Sequence, residues 1–97
     1  MLQHYILIKF NKDANDEHIE EFSKRMLALR TSISSIGRLE IGRDILHEAR
    51  SWDVILIMRF DSIDALRNYQ QHPEHLKVMA FNKPFVADVA SVDFEKS

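Results

Sequence analysis

The stretch WDVILIMRF, residues 52–60, decides the fold. Side chains alternate along a strand, so Trp52, Val54, Leu56, Met58 and Phe60 share one face and Ile55 and Ile57 the other. A strand apolar on both sides belongs inside a sheet whose two faces are both covered. The opening LQHYILIKF, residues 2–10, has the same character, with Leu2, His4, Ile6, Ile8 and Phe10 against Gln3, Tyr5, Leu7 and Lys9.

Between these strands, Ile19, Phe22, Met26, Leu29 and Ile33 recur at helical spacing opposite Glu20, Lys24 and Arg25, with Asn15 or Asp16 as the N-cap. The spacing predicts a helix over about 16–34. After Gly37, the residues Leu39, Ile41 and Ile45 return at even spacing with Arg38, Glu40 and Asp44 on the other side, which predicts an edge strand. The polar segment His47 to Ser51 then forms a hairpin loop.

Beyond residue 60, Asp61 or Ser62 caps a helix carrying Ile63, Leu66 and Tyr69. That helix must stop or kink at His72, because a proline disfavours helical geometry in the residue before it, and Pro73 is well placed to open the next helix, which ends near Pro84. Ala90, Val92 and Phe94 alternate with Ser91, Asp93 and Glu95 in a last strand at an edge, exposed on one side.

The resulting order is βαββαβ, an α+β chain of the ferredoxin-like kind with a four-stranded antiparallel sheet. Right-handed crossovers place the first and third strands in the middle. Helices cover one face of such a sheet only, and the other carries Tyr5, Leu7, Ile55 and Ile57. The simplest cover for that face is a second copy of the chain, sheet against sheet.

At 97 residues the chain fits one domain, residues 1–97, with one core. A net charge of −2 gives no pull toward nucleic acid. The longest apolar run, Val54 to Met58, is far short of the roughly 20 residues of a membrane span, so no membrane association is expected. The absence of Cys excludes disulfides and thiolate chemistry, and with no export signal in view the default location is the cytoplasm.

Three segments resemble the stress-responsive A/B barrel (Dabb) family: His4 to Lys9, Ile41-Gly42-Arg43-Asp44, and Phe60 to Tyr69 running into His72-Pro73-Glu74-His75. The Tyr-x-x-His-Pro-x-His run is the most specific of them. The resemblance implies a small dimeric α/β barrel, and for much of the family a stress-related role with no assigned reaction. A plant member cyclises a linear polyketide by an aldol-type step without metal or cofactor. Alignment with it implies catalytic roles for His75 and Tyr69 and a place in the pocket for His4. Two further pocket positions of that enzyme correspond to Val54 and Met26, where it has a His and a Tyr.

The residues support chemistry of that kind. A neutral imidazole at His75, near the start of the helix opened by Pro73, can act as a general base, and Tyr69 can donate a hydrogen bond to an oxygen gaining charge. The bland alternatives are a His that plugs the helix N-terminus and a Tyr that serves the core. His4 stands among apolar residues and is either a pocket group or a satisfied core histidine. Phe10, Trp52, Met58 and Phe60 are candidates to line an apolar pocket, although such residues are more often core. The His72 and His75 pair lacks a marked third ligand for a metal, and His18 and His47 read as surface residues.

Three functions stay open: a cofactor-independent cyclase or lyase acting on a small carbonyl compound, a non-catalytic homodimer that binds a small apolar molecule, and a cofactor-free monooxygenase. The pocket is expected within each protomer, between the helices and the sheet face bearing His4 and Trp52.

Overall fold

The computed structural model describes residues 1–97. Its elements are β1 (Leu2–Phe10), α1 (Asp16–Ser32), β2 (Arg38–Arg43), β3 (Val54–Phe60), α2 (Ile63–Gln71), α3 (Pro73–Asn82), a 3-10 turn (Lys83–Phe85) and β4 (Val86–Glu95). The strands form one antiparallel sheet in the order β2-β3-β1-β4, so the two strands apolar on both faces do occupy its centre.

Local chemistry sets the helix limits. Asn15 accepts the His18 N–H at 2.8 Å through its side chain and opens α1, whose first turn carries Asp16 and Glu17 at the positive end of the dipole. Ser62 does the same for α2 by accepting from Ala65 at 3.1 Å. α1 ends two residues earlier than its periodicity predicts. Ile33 leaves the helix in an extended conformation and sinks into the core at 1% exposure.

The core lies between the helices and one sheet face. Phe22, Met26, Val54, Met58 and Phe60 are almost wholly buried there, worth about 1.5–3 kcal/mol for each such side chain removed from water. Register places Tyr5 opposite Ile57 and Val92, and Leu7 opposite Ile55 and Ala90, on the other face. No helix covers that side, and Val92 stays 62% exposed. Tyr5 and Phe94 meet edge to face across it at 5.3 Å.

Two readings of the strands, those of Ile45 and Trp52, need correction, and the structure also sets which way β4 faces. Ile45 lies outside β2, 84% exposed in the loop that leads to β3. The apolar row of β4, Ala90, Val92 and Phe94, belongs to the open sheet face, which turns Ser91 and Asp93 toward the helices. Trp52 also falls on the open face, under the Lys9 ammonium, 5.5 Å from the ring centre, and beside Leu7 and Ile55. The cause is Asp53. Its carboxylate accepts the Phe10 N–H at 2.8 Å while its own N–H donates to Ile8, so regular alternation starts only at Val54.

Both glycines sit at close approaches, Gly37 to backbone and Gly42 to a side chain. A Cβ on Gly37 would stand 3.0 Å from the carbonyl oxygen of Arg59, the same atom that accepts the Gly37 N–H at 2.8 Å. On Gly42 it would meet the Ile55 Cγ2, also at 3.0 Å, and a side chain can turn aside. In urea denaturation Gly37→Ala should lower stability by about 1–3 kcal/mol, as overpacking against backbone does, and Gly42→Ala should cost less. Equal losses would contradict this account.

Candidate functional site

A cavity of about 570 Å³ opens between α2, α3 and the β1–β4 half of the sheet. It arises because the helices cover β1 and β3 more fully than β4, whose Val89 remains 52% exposed beside it. Four ionisable side chains border one region of its wall: His4, Tyr69, His75 and Asp93.

The break between α2 and α3 assembles two of them. His72 has an extended backbone, with φ −66° and ψ 135°, and its Nδ1 accepts the Glu74 N–H at 3.1 Å. The cap of α3 is therefore His72 and not His75. His75 instead points back, and its Nδ1–H donates to the Gln70 carbonyl at 3.1 Å. That carbonyl is among the last of α2, which have no partner within their own helix. Because a carbonyl only accepts, Nδ1 must carry the proton, and the neutral ring keeps its lone pair on Nε2.

Burial lowers the His75 pKa from its ordinary value, the repulsion of His4 and His72 lowers it further, and the bond to Gln70 opposes them. Tyr69 is only 3% exposed and stacks obliquely on His75, ring centres 4.3 Å apart, and on Phe60 at 5.3 Å. Burial pushes its phenol well above the usual tyrosine range, so the hydroxyl stays protonated and can donate.

His4 comes from the centre of the sheet and is 5% exposed. Its Nδ1 faces the carboxylate of Asp93, directly opposite on β4, and must donate to it. Asp93 was not singled out from the sequence. Its register opposite His4 was available as a signal, but its polarity in an edge strand suggested solvent.

The remaining expected pocket residues lie elsewhere. Phe10, Met26 and Val54 are consumed by the closed core between α1 and the sheet, and none of them borders the cavity. Trp52 is on the opposite sheet face, so the cavity is bounded by the face bearing His4 but not by Trp52. His18 is half-buried, stacked on Phe81 and Phe85 with ring centres 4.8 and 3.8 Å away, and bonded through Nε2 to Asn82 at 2.8 Å. It docks α1 on α3 and is no ordinary surface residue. No group of three or more His, Cys, Asp or Glu side chains is placed to hold a metal ion.

The stress responsive A/B barrel domain model matches residues 2–96. The chain belongs to the Dabb family. A dimeric protein of unknown function with a ferredoxin-like fold, from Bacteroides fragilis, is 27% identical, with TM-score 0.87 over 98% of this chain and 95% of its own. A second dimeric ferredoxin-like protein of unknown function, from Thermobifida fusca, is 26% identical, with TM-score 0.86 over 96% and 88%. The hydroxynitrile lyase of Passiflora edulis shares the fold at 12% identity, with TM-score 0.84 over 96% and 90%. None of the curated proteins matches the chain in sequence. No helix of this Dabb chain is long and apolar enough to cross a membrane.

The tautomer and the direction of the His75 shift are both measurable. In a nitrogen-detected NMR titration His75 should show a protonated Nδ1 when neutral and a midpoint below the ordinary 6.5. A midpoint above 6.5, or a proton on Nε2, would contradict the site described.

Proposed function

We propose that this Dabb domain is a homodimeric, cofactor-independent lyase or cyclase that removes a proton next to a carbonyl of a small substrate. The observation that carries the reading is the pairing of a neutral His75 with a Tyr69 hydroxyl at one cavity wall, their rings 4.3 Å apart. The two environments divide the roles. The lowered imidazole pKa suits a base that works near neutral pH, and the raised phenol pKa keeps Tyr69 a donor.

In the proposed step His75 Nε2 takes the α-proton, and the electron pair left behind moves onto the carbonyl oxygen. Tyr69 O–H donates to that enolate oxygen. The carbanion carbon then attacks a second carbonyl of the same molecule, which closes a ring, and His75 returns its proton to the new alkoxide. The reverse sequence is a carbon–carbon cleavage. His4, held by Asp93 through Nδ1–H, offers the lone pair of its second nitrogen to the same wall and serves as a positioning acceptor. The Passiflora protein supports lyase chemistry on this scaffold, through the fold alone.

Homodimerisation follows from the open face of Tyr5, Leu7, Ile55, Ile57, Val92 and Phe94, and from the dimers formed by the Bacteroides and Thermobifida relatives. Ile57→Asp should yield monomers or insoluble protein, because it places an unpaired carboxylate in that contact. A wild-type chain that sediments as a monomer at micromolar concentration would contradict it.

Catalysis is tested with a panel of β-hydroxy ketones and linear poly-β-ketones, followed for cleavage or ring closure. His75→Ala should reduce kcat by about a hundredfold or more, and Tyr69→Phe by a similar factor, with both variants folded. Since the reactive form of His75 is the unprotonated one and its pKa is lowered, kcat/KM should be flat through neutral pH and fall only in acid, with its midpoint below the ordinary histidine value of 6.5. Undiminished turnover in His75→Ala would leave the non-catalytic ligand-binding reading in its place.

A further inference from the structure

The cavity extends well past the four ionisable groups. Along the sheet its floor is a ladder of facing pairs, His4 with Asp93, Ile6 with Ser91, and Ile8 with Val89. Along α3 its wall is His75, Met79 and Asn82, spaced i, i+4, i+7 on one helix face. His4 acts electrostatically on His75 at one end, while at the other His18 bonds Asn82 and touches Phe10, the last residue of β1. Floor and wall therefore run in the same direction. The distance from His75 to Asn82 along the helix is about 10 Å at 1.5 Å per residue.

The two ends differ in chemistry. Between them the lining is apolar, with Ile6, Ile8, Leu56 and Met79. At the far end Asn82 is 3% exposed, its Oδ1 accepts from His18 Nε2 at 2.8 Å, and its Nδ2 has no partner in the chain. The stacking of His18 on Phe81 and Phe85 holds this orientation, so the amide N–H groups are left toward the cavity that Asn82 borders. A donor at the edge of an apolar cavity, with no acceptor in the chain, is free to bind a ligand oxygen. Next to it Lys83 also borders the cavity and takes part in none of the chain's ion pairs.

We infer that Asn82 and Lys83 form an anion subsite, and that the ligand of this cavity is a linear carbonyl compound ending in a carboxylate roughly eight bonds from the reacting carbon. The substrate class is thus an oxo acid with its carbonyl at His75 and Tyr69, its chain along Ile6, Leu56 and Met79, and its carboxylate on the Asn82 amide and the Lys83 ammonium. The assignment deepens the acid–base reading and rests on it for the carbonyl end. The carboxylate end does not rest on it and stands on the unpartnered Asn82 amide with the Lys83 ammonium beside it.

Calorimetric titration at low salt with octanoate and octanol tests it without turnover. Octanoate should bind at least tenfold more tightly than octanol. Lys83→Met should remove most of that preference, and so should Asn82→Asp, which keeps an oxygen for His18 but replaces the donor by a like charge. Arg67→Met should leave the preference intact, although Arg67 also borders the cavity near His75. If Asn82→Asp does not fold, the exposed Lys83 position decides. Equal binding of the two probes, no binding of octanoate, a preference that survives Lys83→Met, or one that disappears in Arg67→Met would each overturn the subsite. His75→Ala should retain the octanoate preference, so a failure of the acid–base step and a failure of the subsite give different results.

Discussion

The break at His72-Pro73 is the constraint on which the rest depends. Pro73 forbids His72 a helical conformation, which ends α2 and starts α3 in consecutive residues. The end of one helix leaves carbonyls without partners, and the start of the next leaves amides without partners. His72 satisfies an amide of α3 and His75 satisfies a carbonyl of α2, so two histidines three residues apart have opposite duties. Only the second is left with a free nitrogen at the cavity.

That arrangement has an electrostatic consequence. Three histidines, His4, His72 and His75, lie close enough that charge on the first two disfavours charge on the third. Burial acts the same way on His75 and in the opposite direction on Tyr69, since in each case it favours the neutral form. A neutral acceptor and a neutral donor side by side are what proton abstraction from carbon requires, and a metal ion is not needed to separate their roles. The sheet supplies the rigid side of the cavity, with His4 on a central strand and Asp93 fixed opposite it by register.

Much of the fold was legible because it is written in periodicity. The two central strands, the capped helices and the proline break each leave a pattern in residue type, and so does the apolar sheet face that calls for a partner. Features made by side chain to backbone bonds leave none. Asp53 holding the Phe10 amide moves Trp52 to the other face, and no alternation rule anticipates it. The site was legible to the same degree. Tyr69, His75 and His4 carry recognisable chemistry, whereas the Gln70 carbonyl that sets the His75 tautomer is a backbone atom common to every residue. Asn82 carries no mark in the sequence, and only the packing of His18 against its Oδ1 shows which way the amide is turned.

The central claim is that His75 abstracts a proton from carbon. The most direct measurement is hydrogen–deuterium exchange at the α-carbon of simple linear ketones and oxo acids in deuterium oxide, followed by proton NMR, with wild type and His75→Ala compared at neutral pH. The account predicts exchange by the wild-type protein well above the buffer rate and a return to about the buffer rate in the variant. Exchange at the same rate in both proteins, or none above buffer in either, would contradict it.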